Sequence, residues 1–338
     1  MVAQNDPGQR GAMSFRNFLP GVPLIESPFF DLVAQDNHLH GDLARIANDL
    51  RRDGLAVLDF PDDQIEQRSE RIKTALHDSY DWKQWESVGF LQGQGLRVQD
   101  AWSTNDDVRA IALNTGVLEI LAKLYGRRPI PFQTLNFPVG TQQPYHSDSV
   151  HFSSIPERYM CGVWVALEDI DEDNGPLVYF PGSHQWPIYS NEHIGKLIRK
   201  GDDSSQQAFQ DLWEQLVKVH NLKPKRFLAK KGQAVIWLAN LLHGGDKQNS
   251  ATRTRWSQVT HYFFEDCAYY APMATIPIIG PYGFRQITDI STGEHVKNTI
   301  LGQPVPDRNS RVRSALRRLR RSFLPHRREA NAATGKTT

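Results

Sequence analysis

Along the chain, the spacing of apolar residues changes near Pro131. Before it they recur at helical intervals. Leu43, Ile46, Ala47 and Leu50 place one apolar face on a helix over 42–52, with Gly54 as its stop. Ile111, Leu118, Leu121 and Leu124 do the same over 106–125, stopped by Gly126. Between these helices, 55–60 is a short apolar run of strand character, and Asp62-Asp63 can cap a helix reaching about Tyr80. Beyond Pro131 the pattern becomes short runs parted by Gly-, Pro- and Asp-rich turns: 132–137, 145–150, 160–167, 177–180, 227–228, 234–238 and 255–264. The expected fold is mainly β with flanking helices, its core a sandwich or jelly roll rather than alternating β and α units.

The remaining segments fill in the organisation. Residues 1–40 read as an N-terminal arm, 41–130 as helical support, and 131–268 as the jelly-roll core. An insertion at 191–221 is polar and helical, with Phe209, Leu212, Trp213, Leu216 and Val217 as its apolar face. It fits either a lid over a site or a cover for one end of the barrel. The aromatics Trp82, Trp85, Phe90 and Trp102 are expected to pack their loop onto the body. The acidic run 169–175 lacks the rest of a calcium-loop pattern and reads as a solvated turn. Residues 269–306, rich in Pro and Gly, read as an extended arm, and 307–338 as a basic tail.

Composition changes this picture little. With 39% hydrophobic residues, 8 Trp and 16 Phe, the chain has the material for a large core. Its formal charge of +1 conceals a division, because from Arg308 onward nine arginines and one lysine face only Glu329, a net of +9 that leaves −8 on the rest. Within that tail Val312, Leu316, Leu319 and Phe323 recur at helical spacing up to Pro325, which suits contact with an anionic membrane or an acidic partner as well as a frayed basic tail. No fold for specific nucleic-acid recognition accompanies it. Cys161 and Cys267 sit in apolar surroundings and read as buried thiols of a reducing compartment. No run has transmembrane length and no secretion signal is evident, so the expected location is cytoplasmic, with membrane association through residues 308–338. An acidic body argues mildly against a highly anionic ligand, unless a local basic pocket overrides it.

The chemistry centres on Tyr145-His146-Ser147-Asp148. On a strand, alternate residues share a face, so His146 and Asp148 would point the same way and Ser147 and His151 away. With His243, in Asn240-Leu241-Leu242-His243-Gly244-Gly245, they would form a two-histidine, one-carboxylate facial triad that leaves positions open on Fe(II). Downstream, Arg253 and Arg255 each offer a planar fork for a carboxylate.

Two segments carry a family resemblance. One holds His146-x-Asp148, Trp164, Asn174-Gly175-Pro176-Leu177 and Phe180-Pro181-Gly182-Ser183-His184; the other runs from His243-Gly244-Gly245 through Arg255 to His261-Tyr262. Together they resemble the phytanoyl-CoA dioxygenase family of Fe(II)/2-oxoglutarate oxygenases, over roughly residues 40–265. The resemblance implies a double-stranded β-helix, cupin-like core over 131–268, with iron on His146, Asp148 and His243. It places the 2-oxoglutarate carboxylate on Arg255, with Trp164, Gln133 and Arg253 as further cosubstrate candidates and His184 in a structural hydrogen bond. The implied reaction consumes O2, with ascorbate as a candidate stimulant, and hydroxylates an unactivated C–H bond of a small-molecule or lipid-like substrate, releasing succinate and CO2. Retention of Asp148 argues for hydroxylation, desaturation or cyclisation over halogenation. The alternative is a cupin-like module that binds metal without turnover.

Overall fold

The computed structural model describes residues 17–34, 36, 39–87, 97–196, 204–250, 252–275 and 283–305. The N-terminal portion behaves as its periodicity suggests. Helix Gly41–Asp53 buries Ile46, Ala47 and Leu50, and Gly54 ends it in the left-handed conformation at φ 79°. Strand β1 (Leu55–Asp59) follows directly, then helix Ile65–Leu76. The single helix expected over 106–125 is instead two, Asp106–Ala112 and Thr115–Tyr125. Asn114 causes the break: its side chain accepts from Val117 N–H and starts the second helix, as Asn105 starts the first. Asparagine's short amide competes with the helix's own hydrogen bonds and so favours caps over interiors.

The β core consists of β2 (Val98–Gln99), β3 (Pro129–Phe137), β4 (Ser153–Ile155), β5 (Met160–Ala166), β6 (Leu177–Tyr179), β7 (Lys225–Phe227), β8 (Gln233–Leu238), β9 (His243–Gly245), β10 (Ser257–Phe264) and β11 (Ala268–Tyr270). One sheet runs in the order β1-β8-β5-β10-β3-β2 and a smaller one in the order β7-β6-β9, with antiparallel pairing throughout both. These two sheets make the expected jelly roll.

The large sheet has two differently used faces. In β10, Gln258 and Tyr262 turn toward helix Asp106–Ala112, where Gln258 Nε2 donates to Val108 O (2.9 Å) and Tyr262 Oη to Ala112 O (3.0 Å). Val259 and His261 turn the other way, into a cavity. The helical face holds much of the main apolar cluster, including Ile46, Leu50, Ile72, Leu121 and Tyr262. A second cluster, with Leu135, Phe137, Trp164, Val235, Trp237 and Leu241, lies toward the small sheet. Each such side chain stabilises the fold by roughly 1.5–3 kcal/mol on burial.

The insertion resolves into helix Ser204–Val219. Its Phe209 and Trp213 are buried with Val150, Phe180 and Leu242. It therefore braces the backs of the segments that carry Asp148 and His243, and none of its described residues lines the cavity, which favours the covering role over the lid. The expected arm is tied in closely: β11 pairs with β4, Ile290 N–H donates to Pro131 O, and Ile287 and Ile290 are buried. The basic tail lies outside the described residues.

Candidate metal centre

The backbone brings the two candidate histidines together before their side chains meet. His146 N–H donates to His243 O (2.8 Å) and His243 N–H to His146 O (3.0 Å), an isolated antiparallel bridge. Gly244 makes the approach feasible, since a Cβ there would lie 2.7 Å from Gln143 O. The strand expected over 145–150 is thus one bridge, after which Asp148–Val150 forms a 3-10 turn. Ser147 seeds that turn, its Oγ accepting from Ser149 N–H (3.3 Å). Asp148 still faces the histidines, but the turn breaks the period of two and rotates His151 onto the cavity wall, contrary to the strand-based expectation.

His146, Asp148 and His243 are all buried, with one potential ligand atom of each within 4.8 Å of the others. His146 Nε2 lies 3.6 Å from Asp148 Oδ1, and His243 Nε2 3.9 Å from Asp148 Oδ2. Each imidazole is oriented from behind: His146 Nδ1 donates to Pro144 O (3.0 Å) and His243 Nδ1 to Leu241 O (2.9 Å). A carbonyl can only accept, so the proton sits on Nδ1 and the Nε2 lone pair faces inward, the tautomer a metal requires. Burial lowers the His146 pKa to about 3, which keeps the ring neutral. Burial alone would raise the Asp148 pKa, but the neighbouring imidazoles and the Trp237 indole outweigh it and hold the carboxyl low. A neutral, neutral, anionic donor set on one side of a centre fits Fe(II).

The carboxylate has a dedicated orienter that the sequence did not single out. Trp237 Nε1 donates to Asp148 Oδ2 (2.9 Å). Trp237 sits opposite Gly162 across β8 and β5, and a Cβ at Gly162 would come within 2.1 Å of the indole. Only glycine leaves the ring room to lie there.

Arg255 lines the same cavity and is 4% exposed. Its Nη1 donates to Ser257 Oγ (3.2 Å) and Nη2 to Val139 O (3.3 Å), whereas Nε is buried without a partner. Its guanidinium carbon lies 5.8 Å from the ring centroids of both Phe137 and Trp164, and burial lowers its pKa to about 10. Among the described residues no carboxylate pairs with it. A desolvated guanidinium with an orphan donor is costly alone and fits the far carboxylate of a 2-oxo diacid. Arg253, by contrast, pairs with Asp171 at the surface and does not line the cavity. Residues 253–255 precede β10, which begins at Ser257.

Gln133 also lines the cavity, its Oε1 2.9 Å from His261 Nδ1. His261, which the sequence offered only as a motif marker, places Nε2 3.8 Å from Asp148 Oδ2. His184 lies apart from the centre, its Nε2 3.2 Å from Arg51 O. The cavity measures about 300 Å³.

The phytanoyl-CoA dioxygenase (PhyH) family model matches residues 48–255, more than half of the chain. The chain belongs to this family. Among curated PhyH relatives it is similar to the peroxisomal phytanoyl-CoA dioxygenase of Rattus norvegicus (27% identity over 135 residues, 40% of this chain and 37% of that one). The Homo sapiens enzyme of the same name matches at 27% over 129 residues, 38% of this chain and 36% of that one. These matches thus span well under half of either relative. Among solved structures, the non-heme alpha ketoglutarate dependent epimerase SnoN from nogalamycin biosynthesis has a similar fold (TM-score 0.50, 19% identity, 79% of this chain and 96% of that chain). So does the alpha ketoglutarate dependent carbocyclase SnoK of the same biosynthesis (TM-score 0.50, 17% identity, 80% and 94%). At these identities the likeness establishes the jelly-roll fold of this PhyH chain, not its reaction.

Proposed function

We propose that the protein is an Fe(II)- and 2-oxoglutarate-dependent oxygenase that hydroxylates an unactivated C–H bond of a small molecule. The observation that carries this reading is Arg255, a buried cation with an unsatisfied donor and no carboxylate partner among the described residues, in the cavity that holds the triad. A site that bound metal for structure alone would have no use for it.

His146, Asp148 and His243 would hold the iron on one side, their orientation set by Pro144 O, Trp237 and Leu241 O. Arg255 and Ser257 would receive the far carboxylate of 2-oxoglutarate, with Phe137 and Trp164 screening that end from water and strengthening the pair. Bound iron, with 2-oxoglutarate and O2, supplies the oxidising power for C–H cleavage and leaves succinate and CO2. The protein would contribute the ligand geometry and the cosubstrate's orientation. SnoN is an epimerase and SnoK a carbocyclase, so product analysis has to separate a gain of one oxygen from a change of configuration or ring closure.

The deciding experiment is succinate formation from 2-oxoglutarate by the anaerobically loaded Fe(II) protein on admission of air. Turnover is expected in the native chain, is lost in His146→Ala, and in Arg255→Ala returns only at high 2-oxoglutarate. If the iron-loaded protein neither turns over nor binds 2-oxoglutarate calorimetrically, the binding-module alternative stands instead. The setting we infer is cytoplasmic, with the basic stretch 308–338 touching anionic membrane. Equal binding of anionic vesicles by chains with and without that stretch overturns the membrane contact.

A further inference from the structure

The cavity has a second cationic end that the triad and the Arg255 clamp do not use. Along β3 and β10 the inward positions form the pairs Ser257–Phe137, Val259–Leu135 and His261–Gln133. Arg255 enters at one end of this ladder. His261 stands six residues further on, roughly 20 Å of extended chain. Around His261 the wall is built from Gln133, His151, Phe152, Arg97 and Arg285.

Arg285 is fixed there. Its backbone N–H donates to Tyr269 O (2.8 Å), its Nε donates to His151 O (2.8 Å), and its guanidinium carbon lies 4.3 Å from the Phe152 ring centroid. Among the described residues its two terminal nitrogens have no partner, and neither Arg285 nor Arg97 has an acidic one. The adjoining sequences 88–96 and 276–282 contain no Asp or Glu that could supply one. Among the described residues, Asp148 is the single carboxylate on the cavity wall, against Arg97, Arg255 and Arg285. With a divalent metal on the triad and a dianionic cosubstrate on Arg255, two positive charges remain, those of Arg97 and Arg285.

We infer that the primary substrate carries a compact oxyanion, a carboxylate or a phosphate, that docks between Arg285 and Arg97 and so presents its neighbouring carbon atoms to the metal centre. This rests on the oxygenase reading and narrows its substrate class. Arg285 suits the task because its stacking and its bond to His151 O fix the fork while leaving both terminal N–H groups for bidentate pairing. Arg97 is exposed and Arg285 half-buried, so a neutral substrate would displace water from the Arg285 fork without pairing it, whereas an oxyanion reaching both arginines would pair it. The acidic surface of the body affects encounter, but these local charges decide binding.

The test uses the full chain loaded with Zn(II), a redox-inert stand-in, and saturated with 2-oxoglutarate. Hexanoate, hexyl phosphate and hexan-1-ol are titrated in calorimetrically. At least one anionic probe is expected to bind about tenfold or more tightly than the alcohol, and the preferred anion tells carboxylate from phosphate. Arg285→Gln and Arg97→Gln should each erase most of that preference while 2-oxoglutarate affinity stays at the native value. Arg285→Lys, which keeps the charge without the fork, should recover part of it, as a folding defect would not. Equal binding of alcohol and anions, or anion binding unchanged in both Gln variants, overturns the proposal. Failure of the parent reading looks different: 2-oxoglutarate would bind poorly, or equally well in Arg255→Gln. The same anion titrations without cosubstrate then still decide the role of Arg285.

Discussion

At the scale of single residues, the centre depends on residues that would not themselves bind the metal. Trp237 fixes Asp148 through one hydrogen bond, and Gly162 gives Trp237 its place. Trp237→Phe keeps the ring and removes the donor, so it should weaken Fe(II) binding by about 10- to 100-fold while the fold persists. Gly162→Ala should give the same loss by displacing the indole; anaerobic Fe(II) titration of both variants checks this. The ligands themselves were legible because their spacing is a local pattern with a chemical meaning. Trp237 and Gly162 were not, because their partnership exists only in the register of β5 against β8, and His261 became a site residue only when β10 was set beside β3.

His184 allows a prediction on pH at a site remote from the metal. It is 4% exposed, its Nδ1 has no partner, and burial holds its pKa at about 4 instead of 6.5. The unfolded chain therefore takes up this proton at a higher pH than the folded one. Stability from neutral His184 is intact above about pH 6.5 and falls as the pH drops toward 4, by at most about 1.4 kcal/mol per pH unit. Denaturant unfolding of the native chain and His184→Gln across this window should show the native chain losing stability more steeply as the pH falls. Parallel curves would count against it.

Elements were read well where one periodicity ran unbroken and badly where a side chain intervened. Helix Gly41–Asp53 lies within a residue of its expectation. The helix at 106–125 was split by Asn114, and the strand at 145–150 was turned by Ser147, because both side chains bond to nearby backbone and offset the regular pattern. Asn114→Ala should cost about 1 kcal/mol in denaturant unfolding. The inserted helix matters more: Trp213→Ala should cost about 3–5 kcal/mol, since it opens a cavity behind Val150 and Leu242. The same variant should weaken metal binding, because those two residues adjoin the turn of Asp148 and the bridge of His243.

For the whole molecule, the jelly roll was legible from the run of short strands, and the division of charge from counting. How tightly the C-terminal arm is bound was not, since prolines and glycines conceal periodicity while still permitting backbone pairing. Tyr269, Ile287 and Ile290 are buried, and Arg128 Nη1 pairs with Asp289 at 3.1 Å. A chain ended after Asp266 should therefore fail to give a cooperative thermal transition, whereas one ended after Val305, which keeps these contacts, should retain one.

Arg285 belongs to that arm, thirty residues beyond Arg255, where the family match stops. The three proposed iron ligands and Arg255 lie inside the matched stretch, while Arg285, on the wall of the proposed substrate end, is written after it. On the roles proposed above, oxidising machinery and molecular recognition are partly encoded in separable text. An arm exchanged with that of a relative could redirect such an enzyme to a new compound without disturbing how it handles oxygen.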